Sequence, residues 1–156
     1  MPIEDFVKKG SAHIEKCLEV SKKSGNEAAF YSCGDNLSDI AEGNENAVAF
    51  RVECPVEKSL YDFHTHPNGN PPELSGQDMH NLLSRRIKGS CVGNLKGEVK
   101  CYEKSPETMS LLAGALEDMA KNMRDGKVDG FTNELSKLNV PEVVNSLRVV
   151  KLVSKD

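Results

Sequence analysis

The sequence predicts a mixed α/β fold, on three observations. Apolar residues near the N-terminus recur at helical spacing, from Ile3 to about Lys22. Short apolar segments bounded by Gly, Pro and Asn follow as far as residue 104, as is typical of strands. From Ser105 the pattern becomes helical again. We therefore expect one domain over residues 1–156, with a mixed β-sheet flanked by helices to about residue 104 and a helical extension over about 105–156.

The length and the charge of the chain exclude several classes of protein. A chain of 156 residues suits one domain and is too short for an eightfold α/β barrel, which needs ~250 residues. The net charge is −4 and charges of both signs are interspersed, so we expect no nucleic-acid partner. No segment has the apolar core of a signal peptide or the ~20 apolar residues of a membrane span. We expect a cytoplasmic protein without a membrane partner.

The cysteines fit a reducing compartment. Five is an odd number, and no two of them have the C-x-x-C spacing that holds a structural metal. We therefore expect reduced, mostly buried thiols. They are Cys17, Cys33, Cys54, Cys91 and Cys101.

The first half of the chain combines one helix with several strands. The amphipathic helix from Ile3 to about Lys22 should end near Gly25, because glycine readily takes the left-handed conformation that closes a helix. A buried strand is expected to begin at Glu27, in "EAAFYSC". Two further strands, around Leu37–Glu42 and Ala47–Glu53, are predicted on either side of a Gly/Asn turn.

The second half begins with a strand, "SLYDFHTHP", which Pro67 closes. A helix is expected from about Gly76 to Ile87, with Gly89 as its stop. "SCVGNLKGEVKCYE" predicts a hairpin that turns at Lys96-Gly97. Ser105 and Pro106 then mark the start of a long helix. One or two short helices in "TNELSKLNV" and "PEVVNSL" and a last strand, "RVVKLV", complete the chain.

Two histidines at the end of a strand indicate a metal site. Side chains two residues apart project from the same face of a strand, so His64 and His66 point the same way while Thr65 points the other. Asp78, in the first turn of the next helix, supplies an anionic oxygen. Two imidazoles, one carboxylate and a water make an open tetrahedral zinc site, since catalytic zinc keeps one position free.

The same residues also have a purely structural interpretation. Ser75 and Asp78 have the spacing of a capping box at a helix start, and taken alone "SGQD" is more often a cap than a site. A lone H-x-H is likewise more often structural. The two patterns occurring together across one strand, loop and helix favour the metal site. His80 should face away from the metal, because residues i and i+2 point in nearly opposite directions on a helix.

"HTHPNGNPPELSGQD" resembles the H-[ST]-H-P-x7-S-x-x-D signature of the JAB1/MPN/Mov34 metalloenzymes, the JAMM peptidases. The resemblance covers residues 1–104 and implies a cytidine-deaminase-like α/β core with one Zn²⁺ per chain. All five fixed positions match: His64, His66, Pro67, Ser75 and Asp78.

The resemblance also implies a catalytic glutamate at the start of the first core strand, which here is Glu27, with Gly34 matching the glycine that ends that strand. Glu42, Glu45 and Glu53 remain candidates in or beside later strands.

Family members hydrolyse the amide bond after the C-terminal Gly-Gly of ubiquitin-like or sulfur-carrier proteins. Glu27 would then act as the general base, and Ser75 could donate a hydrogen bond to the oxyanion. We expect the loop Asn68–Leu74 to wall the channel for the substrate tail.

Two other functions compete with this one. The family also contains non-catalytic scaffolds, although these generally lose metal ligands that this chain retains. A metal-dependent phosphohydrolase or amidohydrolase also uses H-x-H at a strand end. Those enzymes need further ligands spread over a longer barrel, and only His13 and His80 are left to supply them.

Overall fold

The structure is a computed structural model that describes residues 2–49, 51–55, 57–113 and 140–152. It confirms a mixed α/β fold, in which helices flank one mixed open sheet. The helices are α1 (Ile3–Lys9), α2 (Ser11–Ser24), α3 (Gly76–Ser84), α4 (residues 106–113) and α5 (Val140–Ser146). The strands are β1 (Ala28–Cys33), β2 (Asn36–Leu37), β3 (Ala41–Glu42), β4 (Leu60–Thr65), β5 (Gly89–Gly93), β6 (Val99–Glu103) and β7 (Arg148–Leu152).

The sheet places the histidine strand at its centre. Its order is β2-β1-β4-β5-β6-β7, with β3 also pairing with β1. Strand β4 runs antiparallel to β1 and parallel to β5, while the remaining pairs are antiparallel. Parallel neighbours need a crossover, and α3 lies in the connection between β4 and β5.

Alternating residues of β4 face two different environments. Tyr61 and Phe63 are fully buried and pack with Phe6 of α1 and Phe30 of β1, through rings whose centroids lie 5.5–5.7 Å apart. Leu60 packs on the opposite side in a second cluster that includes Leu82 and Leu83 of α3. The face of β4 that carries His64 and His66 is therefore the one that α3 covers.

The N-terminal segment forms two helices, α1 and α2, which meet at Gly10. The prediction of one continuous helix from Ile3 to about Lys22 is therefore wrong at this point. The chain leaves helical geometry at Gly10, where ψ is 8°. A Cβ at Gly10 would lie 2.9 Å from Cζ of Phe30, so only glycine permits this close approach. Helix α2 ends as expected at Gly25, whose φ of 73° is left-handed.

The two strands predicted around Leu37–Glu42 and Ala47–Glu53 are largely wrong. The first is reduced to the two-residue strands β2 and β3, and the described residues of the second contain no strand. Asn44 is the local reason, because its side-chain oxygen accepts hydrogen bonds from the backbone N–H groups of Asn46 and Ala47, both at 2.9 Å. This turn replaces the pairing that a strand would need.

The remaining elements agree better with the sequence. Helix α3 starts at Gly76 as predicted but ends at Ser84, and Gly89 begins β5 instead of stopping the helix. The hairpin turns at Gly97, with φ of 80°, as expected. Ser105 precedes α4, and the last strand is β7. Most of the predicted long helix, together with "TNELSKLN", lies outside the described residues, and the short helix predicted in "PEVVNSL" is α5.

The prediction of reduced cysteines is wrong for four of the five. Cys33 is bonded to Cys54, and Cys91 to Cys101 across the β5–β6 hairpin, while buried Cys17 is free. Disulfides are typical of oxidising compartments, so the cysteines no longer support a cytoplasmic location, which stays a prediction. Among the described residues, the helices are all too short or too polar to span a bilayer.

Candidate metal centre

The two histidines converge at the end of β4. Their Nε2 atoms lie 3.1 Å apart, and both rings are partly buried, with 12% of the His64 side chain and 22% of the His66 side chain exposed. Thr65 points to the opposite face, where its hydroxyl accepts a hydrogen bond from the backbone N–H of Ala28 at 2.9 Å. The middle residue of the H-T-H motif thus ties β4 to the start of β1.

Asp78 completes the group from the first turn of α3. Its Oδ2 lies 3.0 Å from Nε2 of His64 and 3.3 Å from Nε2 of His66. The same oxygen accepts a hydrogen bond from the backbone N–H of Ser75 at 3.0 Å, and Ser75 Oγ accepts one from the Asp78 N–H at 3.1 Å. The capping box predicted from the sequence is therefore present, and it fixes the aspartate that faces the histidines.

The donor set fits a metal ion. Ligand nitrogens of a tetrahedral zinc site lie about 3.3–3.4 Å apart, since Zn–N bonds are ~2.0–2.1 Å long. The three ligand atoms here lie 3.0–3.3 Å from one another. They need to spread by only a few tenths of an ångström to surround an ion at about that bond length. His64, His66 and Asp78 can therefore hold a metal ion.

The charges of this group favour an anionic carboxylate beside cationic imidazole. Burial would raise the pKa of Asp78, but its hydrogen bonds with His64 and His66 hold that pKa well below its usual range. Burial would lower the pKa of His64, yet its hydrogen bond and proximity to Asp78 raise it. A metal ion bound here would have to displace any proton on His64, because a ligating imidazole is neutral.

Glu27 lies in the same cavity as the metal ligands. This cavity of about 380 Å³ is lined by Glu27, His64, His66, Ser75 and Asp78. Glu27 is only 8% exposed, and burial raises its pKa, against the opposing charges of the two histidines.

A turn fixes the backbone of Glu27. Its N–H donates to the carbonyl of Asn44 at 2.7 Å, and its own carbonyl accepts from Gly43 at 2.8 Å. The alternative glutamates Glu42, Glu45 and Glu53 are all exposed and do not line the cavity. The structure therefore brings Glu27 to the metal site and leaves the other three outside it.

Two predicted features lie elsewhere. His80 does not belong to the ligand group or to the cavity lining. Of the described residues, none from 68 to 74 lines this cavity, so the loop Asn68–Leu74 is not its wall. That wall is formed by residues 46–49 and Val52, in the segment that was expected to be a strand.

The cavity also contains polar residues that the sequence analysis missed. Asp62 lies two positions before His64 on the same face of β4, and Ser90 pairs with it on β5. Alternation along β4 could have found Asp62. Ser90 and Arg85 come from other elements, and only the parallel register and the end of α3 place them there.

No protein-family model matches this chain, and no curated protein matches it. The resemblance to the JAMM peptidases therefore rests on five matching positions between His64 and Asp78 alone. What the structure establishes is coarser, namely a mixed α/β fold in which three residues can hold a metal ion.

Proposed function

We propose that this protein is a metal-dependent hydrolase of amide bonds. More particularly, it is a zinc isopeptidase of the JAMM type, built on a JAB/MPN core. It acts after the C-terminal Gly-Gly of a ubiquitin-like or sulfur-carrier protein. The signature from His64 to Asp78 supports the family, and the three converging ligands support the metal.

One observation carries the proposal: a partly desolvated glutamate and a three-residue metal site share one cavity. Glu27 comes from the start of β1, whereas the ligands come from β4 and α3. An ordinary structural H-x-H pair or helix cap requires no such carboxylate. A metal hydrolase requires one, because a base has to take the proton of the attacking water.

The residues of the chain have distinct tasks in this reaction. His64, His66 and Asp78 would hold the zinc ion, which when bound makes water acidic, with a pKa of about 7, and polarises a carbonyl. A carboxylate oxygen of Glu27 accepts the proton of the water that attacks the scissile carbonyl carbon. The C–N bond then breaks, and Glu27 returns the proton to the departing amine.

Ser75 has a hydroxyl available for the oxyanion. Its Oγ accepts from the Asp78 N–H, which leaves the hydroxyl hydrogen free to donate, since it makes no bond within the described part of the chain. The capping role and the donor role are therefore compatible, because they use different parts of one hydroxyl.

Cleavage of linear fusions tests the proposal. A ubiquitin-like protein ending in Gly-Gly and joined to a reporter should be cut by zinc-loaded protein and left intact after chelation. Glu27→Gln should abolish cleavage and keep the zinc, because the amide retains the shape and loses the basicity.

Glu42→Gln is the matched control, since Glu42 is exposed, lies outside the cavity and bonds Asn26 instead. A fusion ending in Val-Val should be refused. A protein that binds zinc but cuts no fusion would favour the scaffold function. If Glu42→Gln is inactive and Glu27→Gln is active, the base is misassigned.

A further inference from the structure

A second acidic residue lies in the cavity beyond the metal site. Asp62 is on the same face of β4 as His64, one two-residue step away, which is about 6.6 Å along a strand. Its Oδ1 accepts a hydrogen bond from Ser90 Oγ, and within the described residues Oδ2 makes no hydrogen bond. The carboxylate therefore presents one oxygen that the protein leaves unpaired.

Among the described residues, no cation forms an ion pair with this carboxylate, although the charges of His64 and Arg85 act on it from a greater distance. Arg85 also lines the cavity, but it is exposed, and it forms no ion pair within 4 Å of Asp62 in the part of the chain that the structure describes. A carboxylate that is removed from water without a counter-charge is costly. A cation from outside the protein would compensate this cost.

The cavity that contains Asp62 also has apolar lining residues. Leu82 and Ile87 line the same cavity and are 1% and 8% exposed. Lysine and arginine cover apolar surface with their methylene groups while their charged end reaches a polar partner. A cavity that offers both apolar surface and a carboxylate suits such a side chain.

We propose that Asp62 is a specificity-determining residue, which binds the cationic side chain of a Lys or Arg that directly follows the scissile bond. This inference rests on the proposed function, in which Gly-Gly before the bond offers no side chain, so the side chain nearest to the scissile bond is that of the residue after it. The substrate class is then a linear conjugate of the form Gly-Gly-Lys or Gly-Gly-Arg.

Two peptides that differ in one group test this inference. They carry Gly-Gly-Lys or Gly-Gly-norleucine at the cleavage site and are otherwise identical, so only the terminal ammonium group differs. Zinc-loaded wild type should prefer the lysine peptide by about 10- to 100-fold in kcat/KM, as expected for a hydrogen bond to a charged group. Asp62→Asn should remove the preference, since Asn still accepts from Ser90 but carries no charge.

Asp39→Asn is the matched control, because it removes the same charge from an exposed position outside the cavity. It should keep the preference. Thermal unfolding of both variants shows whether Asp62→Asn is folded. Equal cleavage of the two peptides by wild type, or a preference that survives in Asp62→Asn, overturns the inference while leaving the proposed peptidase intact.

A binding measurement separates the inference from the peptidase activity. Zinc-loaded Glu27→Gln is titrated with the same two peptides, with and without Asp62→Asn. Tighter binding of the lysine peptide, lost in the presence of Asp62→Asn, supports the inference. If this result is found while wild type cuts neither peptide, the proposed peptidase function fails and the inference about Asp62 stands. Equal binding of the two peptides, or binding of neither, overturns the inference.

Discussion

Replacing Ser75 by alanine separates a structural role from a catalytic one at a single hydroxyl. The structure shows the structural role, in which Ser75 Oγ accepts a 3.1 Å hydrogen bond from the N–H of Asp78. The catalytic role is the donation of the same hydroxyl's hydrogen to the oxyanion. Ser75→Ala removes both roles at once, so the structural role has to be measured as stability and the catalytic role as a cleavage rate.

The two roles predict effects of different size. Loss of an N-cap side chain costs about 1 kcal/mol, which for a chain of this length lowers Tm by roughly 2–4 °C. Loss of an oxyanion donor lowers kcat by ~10²–10³. The reciprocal bond, from the Ser75 N–H to Asp78 Oδ2 at 3.0 Å, uses the backbone and should survive. Zinc binding should therefore be retained.

Two control variants make the assay specific. Ser75→Gly loses the hydroxyl, yet glycine at an N-cap costs only a few tenths of a kcal/mol, so stability should be nearly retained while kcat falls. Ser105→Ala removes the corresponding cap of α4, where Ser105 Oγ accepts from the Thr108 N–H at 3.1 Å. Ser105 Oγ also donates a hydrogen bond to the carbonyl of Ser146. Ser105→Ala should therefore be at least as destabilised as Ser75→Ala, while its kcat should not change.

Thermal unfolding and single-turnover cleavage measure the two effects. If Ser75→Ala loses stability and keeps its rate, Ser75 is only a helix cap. If Ser105→Ala loses as much rate as Ser75→Ala, the rate reports general destabilisation, and the oxyanion assignment is wrong.

Three further predictions follow from buried groups. A thiol reagent should label no cysteine in the native protein, one after unfolding, and five after unfolding with a reductant. The native protein should not react because burial raises the pKa of Cys17 to about 12 and the other four cysteines form disulfides. Labelling of three or more cysteines in the native protein would contradict the disulfides. Zinc affinity should fall about tenfold per pH unit below the pKa of His64, because zinc must displace its proton. On acidification, zinc affinity should begin to fall above pH 6.5, the ordinary pKa of histidine, since Asp78 raises the pKa of His64. Competition titrations in which zinc affinity does not change with pH would refute this prediction. Leu82→Ala should destabilise by ~2–5 kcal/mol in denaturant unfolding, because Leu82 is 1% exposed, and a smaller loss would mean that the cavity beside it collapses.

Local sequence patterns were enough for the ligand set. His64, His66 and Asp78 lie within one strand, loop and helix, and strand alternation and cap spacing describe that unit completely. Glu27 required the family resemblance, because it reaches the cavity through the pairing of β1 with β4, where Ala29 lies opposite His64. No property of residues 25–34 alone gives that register.

The errors have different physical origins. Residues 47–53 have strand-like composition, but the side chain of Asn44 accepts hydrogen bonds from the backbone of Asn46 and Ala47, and the described residues of this segment pair with no strand. Cys91 and Cys101 face each other across the hairpin. The predicted turn at Lys96-Gly97 implies a pairing that differs from the observed one by a single residue, so this disulfide had a local signal. The bond between Cys33 and Cys54 has no such local signal.

The zinc content of the reconstituted, dialysed protein shows whether His64, His66 and Asp78 bind a metal ion. We expect one zinc per chain for wild type and for a His13→Ala/His80→Ala control, which removes the two histidines outside the site. The His64→Ala/His66→Ala variant should retain none, because one carboxylate alone does not hold the ion. Substoichiometric zinc in wild type, or equal zinc in the His64→Ala/His66→Ala variant, would contradict this expectation.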